Sequence, residues 1–250
     1  LAVRKAPFPT HLGAYQSTVE NALQQMTQAR VMERIWRQDY TLWKPDPKEI
    51  SNRLGWLHVA EDIAIHLGQL EALVYAVQQA GYQRVVLLGM GGSSLAPELF
   101  ARTFGNAPGY PSLQVLDSTD PLAVEALDHE LDYTKTLFIV STKSGGTEET
   151  LSFFKYFSYR ATAAVGRREA GEHFIAITDP GSKLIELAKS LDFRSIFLND
   201  PNIGGRYSAL SYFGLVPAAL VGVDVPRLLA SARKMAAECK PSRPLDENPA

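Results

Sequence analysis

Cysteine is almost missing from this 250-residue sequence, where Cys239 stands alone. One cysteine closes no intrachain disulfide and builds no cysteine-based metal motif. A disulfide-stapled secreted scaffold is therefore excluded, and a reducing, cytoplasmic setting is expected. A dominant charge is missing too. Lys and Arg total 25 against 27 acidic residues, and the net charge of -2 gives no electrostatic pull toward nucleic acid or an anionic membrane. The tight basic pair Arg167-Arg168 reads as a solvated loop. No apolar run reaches the roughly 20 residues that span a bilayer. The best one, Ala209 to Val223, is shorter and cut by Pro217, so it predicts a buried helix and no membrane partner. The first residues lack both an initiator Met and the apolar core of a secretion signal, so the chain is expected to be a processed or excised piece.

What is present fits a packed globular protein. Apolar residues make up 46% and charged residues 21%, enough to fill an interior and too much for a wholly disordered chain. From Gln16 to Tyr40 good helix formers predominate, with Leu23, Met26, Val31 and Ile35 at mixed helical spacings, and they predict a helical arm. Trp43-Lys-Pro-Asp-Pro47 ends it, because each proline pushes its predecessor out of the helical region. From Trp56 to Gln79, Val59, Ile63, Leu67, Leu70, Val74 and Val77 recur every three or four residues and predict one amphipathic helix, stopped by Gly81.

Five short apolar runs follow: Arg84 to Leu88, Leu113 to Leu116, Leu137 to Val140, His173 to Ile177 and Arg194 to Leu198. They are continuous rather than alternating, as parallel strands buried on both faces must be. Helical stretches lie between most of them, at Leu95 to Thr103, Leu122 to Glu130, Thr147 to Ala164 and Lys183 to Ser190. The alternation predicts an α/β fold: a doubly wound, mostly parallel five-stranded sheet with flanking helices, plus the N-terminal helical arm. The expected domains are an arm over 1–50, an α/β domain over 51–235, and a polar Pro-rich tail over 236–250. In such sheets ligands bind outside the carboxyl ends of the strands, so the loops after the five runs carry the chemistry.

Gly89-Met-Gly-Gly-Ser-Ser-Leu-Ala-Pro97 follows the first run. It fits the dinucleotide fingerprint only in part, because Ser94 replaces the third glycine and Asp117 lies farther on than the roughly 20 residues that motif needs. A tight turn that brings backbone amides, Ser93 and Ser94 against a small polar ligand is one reading; a ligand-free strand-to-helix turn is the other. Val140-Ser-Thr-Lys-Ser-Gly-Gly-Thr-Glu-Glu-Thr150 follows the third run and opens a helix. Exposed amides and the positive end of the helix dipole attract anions there. Thr142, Ser144 and Thr147 add hydroxyl donors, Lys143 adds charge, and Gly145 and Gly146 permit close backbone approach. The expected ligand is a phosphate. Simple helix capping by Ser and Thr is the alternative, but a cap uses one hydroxyl rather than three plus a glycine pair.

Asn199-Asp-Pro-Asn-Ile-Gly-Gly-Arg-Tyr-Ser208 follows the last run. It delivers Arg206 to the same sheet edge, either to stabilise negative charge on a substrate or to make a surface salt bridge. His58, Asp62 and His66 recur at helical spacing without any zinc-protease signature, and they read as a helix face rather than a metal site. Asp117-Ser-Thr-Asp-Pro121 reads as a turn or helix cap. His129 and His173 stand in no motif.

Together the three loops resemble the phosphoglucose isomerase family and its sugar isomerase (SIS) domain. Gly89 to Pro97 looks like the family's first glycine-rich loop, Thr142 to Thr150 like its phosphate loop, and Gly204-Gly-Arg-Tyr-Ser208 like the segment around its catalytic arginine. Trp43 to Pro47 and Ser94 to Glu98 look closest to the isomerase half of bifunctional transaldolase/phosphoglucose isomerase chains. The resemblance implies an SIS-type αβα sandwich and interconversion of glucose 6-phosphate and fructose 6-phosphate through an enediol, with no metal or organic cofactor. It places Gly92, Ser93 and Ser94 on the sugar and Thr142, Lys143, Ser144, Gly145, Gly146 and Thr147 around the phosphate. Arg206 falls at the developing enediolate, and Glu149 matches an acid that orients a catalytic histidine. It also implies a second SIS-like domain, absent here, that supplies the general base and ring-opening residues, and a homo-oligomer at full length. The alternative is a non-catalytic SIS module that senses a phosphosugar.

Overall fold

The computed structural model of the protein describes residues 12–245, 248 and 249. Each continuous apolar run forms a strand, with ends within one residue of those expected: β1 (Arg84–Gly89), β2 (Ser112–Leu116), β3 (Thr136–Ser141), β4 (Phe174–Thr178) and β5 (Ser195–Leu198). The strands make one sheet in the order β2-β1-β3-β4-β5, and every neighbouring pair is parallel. The chain leaves β1 toward β2 and returns to the other side as β3, so the topological switch lies between β1 and β3. Register aligns Gly89 with Ser141 there. The loops leaving these two strands therefore start side by side.

The helices are α1 (Gln16–Gln28), α2 (Val31–Trp36), α3 (Val59–Asp62), α4 (Leu67–Gln79), α5 (Leu95–Phe104), α6 (Pro121–Glu130), α7 (Glu148–Val165), α8 (Lys183–Ser190), α9 (Tyr212–Leu220) and α10 (Val225–Glu238). Asp120 caps α6 by accepting from the Leu122 amide at 2.8 Å, and Pro121 fills the first turn, where its missing N–H costs nothing. All nine residues of α9 are buried, with Pro217 inside the helix. Among the described residues no helix is long and apolar enough to cross a membrane.

β3 is buried from end to end and forms the centre of the core. Phe138 stacks on Phe174 at 5.1 Å and on Phe157 at 5.3 Å, and Phe154 meets Phe174 edge-on at 5.4 Å. These aromatic contacts fix how α7 lies on the sheet. They set where the α7 N-terminus points.

The N-terminal arm is helical as expected, and one other helical expectation needs correction. The segment Trp56 to Gln79 is not one helix: 3-10 turns at Gly55–Leu57 and Ile63–His66 flank the short α3. Its start is tied to a distant part of the chain, with Leu54 bridging Ile203 and the Gly55 amide donating to the Asn202 carbonyl at 2.9 Å. The arm is also split, because Arg30 adopts a left-handed backbone (φ 51°) between α1 and α2. Neither helix of the arm buries a residue fully.

The described residues fall into two compact units. One comprises those up to Ser51 and from Ala230 onward; within it the Trp36 indole donates to the Cys239 carbonyl at 2.8 Å and Arg34 pairs with Asp39 at 2.6 Å. The other, Asn52–Leu229, contains the whole sheet.

Candidate functional site

A cleft of about 520 Å³ opens at the carboxyl edge of the sheet, at the switch point. Three of the loops expected to carry chemistry supply its lining: Met90, Gly92 and Ser93 after β1, Lys143, Ser144 and Thr147 after β3, and Gly205 and Ser208 after β5. A fourth side, Asp179-Pro-Gly-Ser182 after β4, completes it together with Arg53 and Phe213.

The glycines make this convergence possible. A Cβ on Gly92 would lie 2.4 Å from the Gly205 carbonyl oxygen, so the first and last loops touch backbone to backbone. Ser208 fastens the contact, with its hydroxyl 3.1 Å from the Gly92 carbonyl and 2.7 Å from that of Gly205. Gly145 takes a left-handed backbone (φ 69°), and a Cβ there would meet Ser182 Cβ at 2.7 Å. The loop after β3 is thereby pressed against the loop after β4.

Thr147 stands at the N-cap of α7, yet its side chain makes no capping hydrogen bond. Its hydroxyl instead lies 2.8 Å from Thr142 Oγ1. Simple capping therefore does not account for the hydroxyls, and the α7 amides face the cleft region without a side-chain cap. Ser144 accepts from the Gly146 amide at 3.2 Å, which shapes the loop. Thr142 is buried and outside the lining, so it acts on Thr147.

Charges balance around the cleft. The Lys143 ammonium donates to Asp179 Oδ2 and, at 2.9 Å, to the Pro201 carbonyl. Burial pushes the Asp179 carboxyl up, and the Lys143 ammonium pulls the other way without reversing it. Asp179 Oδ1 is buried with no hydrogen-bond partner.

The remaining expected residues lie outside the lining. Ser94 is fully buried, with its hydroxyl 3.0 Å from the Gly91 carbonyl and 3.2 Å from Asp117 Oδ2, so it braces the loop from within. Gly146 and Glu149 are exposed at the α7 entrance. Arg206 is exposed in the 3-10 turn Gly205–Leu210, between the cleft-lining Gly205 and Ser208, and no carboxylate among the described residues pairs with it. The surface salt bridge is thus not what holds Arg206. Its neighbour Tyr207 stacks on Trp56 at 5.4 Å, which steadies the turn.

Arg53, Asp179 and Ser182 escaped the sequence reading. The Asp-Pro-Gly-Ser turn behind a predicted strand was visible, but it carries no cluster of donors. Nothing local marks Arg53, which the pairing of Leu54 with Ile203 brings in. Its side-chain stem packs over Gly204, where an added Cβ would meet Cδ at 3.2 Å.

A second cavity of about 350 Å³ lies at the end of β5, lined by Asp62, His66, Gln69, Asn199 and Tyr212 among apolar walls. Asp62 and His66 line it and His58 does not; among the described residues no group of three His, Cys, Asp or Glu is placed to hold a metal ion. His173 is a core residue, its Nδ1 2.9 Å from the Thr136 carbonyl and its ring edge-on to Tyr82.

A parallel sheet of order β2-β1-β3-β4-β5 with its cleft at the β1/β3 switch defines a doubly wound α/β domain of the ligand-binding kind. The chain belongs to the phosphoglucose isomerase family, whose model matches residues 74–249. It is 35% identical over 213 residues to the glucose-6-phosphate isomerase of Carboxydothermus hydrogenoformans, covering 81% of this chain and 45% of that protein. It is 38% identical over 172 residues to that of Thermosynechococcus vestitus, covering 67% of this chain and 32% of the other. The crystal structure of a glucose-6-phosphate isomerase from Chlamydia trachomatis superposes with a TM-score of 0.76 at 25% identity, over 91% of this chain and 47% of that one. The chain thus spans less than half the length of these relatives.

Proposed function

We propose that this chain is the phosphate- and sugar-binding half of a glucose-6-phosphate isomerase, completed by a second SIS-like domain. The observation that carries the proposal is the convergence of the three motif loops on one cleft whose helix N-terminus has no side-chain cap. A phosphate seated there receives α7 amides and the hydroxyls of Ser144 and Thr147, with Thr142 orienting Thr147. Lys143 supplies charge, and Gly145 and Gly146 keep the backbone close. The sugar then extends toward Gly92 and Ser93. Arg206 sits at the rim, where a guanidinium from this half meets the reacting carbons once the other half closes over them. Glu149, at the same entrance, is placed to orient a histidine from that half.

Calorimetry tests the proposal. The 250-residue chain should bind glucose 6-phosphate well ahead of glucose, because only the phosphate engages the α7 amides. Tight NAD binding with no response to the phosphosugar would overturn it. A second expectation concerns Thr147→Val in a chain of full family length. The lost contact exists before and during the reaction, so KM should rise by about three- to tenfold while kcat stays nearly intact. Steady-state kinetics reads the split, and an unchanged KM would remove Thr147 from the phosphate site.

A further inference from the structure

The Lys143 ammonium spans three loops. It leaves the loop after β3, pairs with Asp179 after β4 and donates to the Pro201 carbonyl after β5. The Asp179 amide also donates to the Lys143 carbonyl at 3.1 Å, so the two residues are joined through main chain and side chains. Asp179 and Lys143 both line the cleft that holds the proposed phosphate position. A carboxylate there repels a phosphate dianion and occupies the one ammonium best placed to meet it. The carboxylate itself has little else to hold its charge: among the described residues Oδ1 is buried without a hydrogen-bond partner and Lys143 is the only hydrogen-bond donor to Oδ2. Two other charges act on it: Arg53, which favours the ionised form, and Asp200, which opposes it.

Resting on the phosphate-binding role proposed above, we infer that Asp179 is a positioning residue that parks Lys143 in the empty cleft and takes up a proton when a phosphate ester draws the ammonium away. In the empty cleft Asp179 carboxylate and Lys143 ammonium neutralise each other. In the complex Lys143 faces the dianion, and Asp179, part-buried with Oδ1 out of reach of solvent and without its counter-ion beside two negative charges, binds one proton from solvent. Desolvation already raises this carboxyl with Lys143 beside it, and losing the ammonium removes the main opposing influence, so ligand binding shifts Asp179 further toward the neutral acid. Binding therefore weakens as pH rises above 7, a range where the sugar phosphate, with its second ionisation near 6, is already a dianion. Its own titration would produce the opposite trend.

The experiment is calorimetry of glucose 6-phosphate binding to the 250-residue chain at pH 7.5 in buffers of different ionisation enthalpy, for the unmodified chain and for Asp179→Asn. The unmodified chain should take up more than about 0.3 proton per ligand, and Asp179→Asn should take up none while binding about tenfold more tightly, because one repelling charge is gone. Binding by the unmodified chain without proton uptake overturns the inference and leaves the phosphate cleft standing. So does Asp179→Asn binding more weakly, which would make Asp179 a fixed anchor for Lys143 in both states. Should Asp179→Asn fail to fold, proton uptake by the unmodified chain still decides. Absence of any phosphosugar binding overturns both the cleft and the coupling.

Discussion

The 250-residue chain alone is expected to interconvert glucose 6-phosphate and fructose 6-phosphate at less than about a thousandth of the roughly 1 to 10³ per second typical of enzymes. Moving a proton between C1 and C2 needs a base within hydrogen-bond reach, and opening the sugar ring needs an acid. Among the described residues, no histidine and no glutamate lines the cleft and Asp179 is its one carboxylate. Asp179 is tied to Lys143 through Oδ2 and has the other oxygen buried. Arg53, Lys143 and serine and threonine hydroxyls complete the polar lining, and among the described residues no such hydroxyl is paired with a histidine that would activate it. On the proposed reading, the chain holds a phosphosugar and leaves the proton transfer to the other half. A coupled assay for fructose 6-phosphate checks this. Turnover within the typical range would mean that the acid and base lie in this half, and Asp179 would be the first residue to test.

Arg206→Ala, made in a chain of full family length, should lower kcat by about 10² to 10³ and change KM far less. Negative charge gathers on the substrate oxygens as the enediolate forms, and a fixed guanidinium stabilises that state more than the neutral ground state. The geometry suits the task. Arg206 follows Gly205, which touches Gly92 across the cleft, and precedes Tyr207, which stacks on Trp56, so the backbone on both sides is held. No carboxylate among the described residues neutralises the guanidinium beforehand. Arg206→Lys should fail almost as badly, because an ammonium lacks the planar fork. Paired kcat and KM measurements on the folded variants decide. An unaltered kcat in Arg206→Lys would remove the arginine from the chemistry.

Strands were legible because burial on both faces writes itself as continuous apolar runs, and each of the five lies within a residue of its expected ends. The motif loops were legible because parallel strands deliver their loops to one edge. The two helix breaks were not. Arg30 turns left-handed without being glycine, and Ile63-Ala-Ile-His66 tightens into a 3-10 turn with no glycine or proline to announce it. A periodicity of three and four passes straight through the second, and at the first only the five-residue step from Met26 to Val31 departs from it. Ser94 shows the opposite failure. It stands in a loop rich in candidate donors, yet it is the one whose hydroxyl turns inward to Asp117. Side-chain direction within a turn depends on neighbours far along the chain, and local spacing does not record them.

The seam between Gly92 and Gly205 limits how such a protein can change over generations. With 2.4 Å from a would-be Cβ to the facing carbonyl oxygen, any larger residue at 92 forces the Gly205 backbone to retreat, and Arg206 is the next residue along. Drift at this seam would move the loop that carries the guanidinium together with Gly92. The two loops at the seam, with Ser208 bonded to the carbonyls of both glycines, are therefore inherited as one piece.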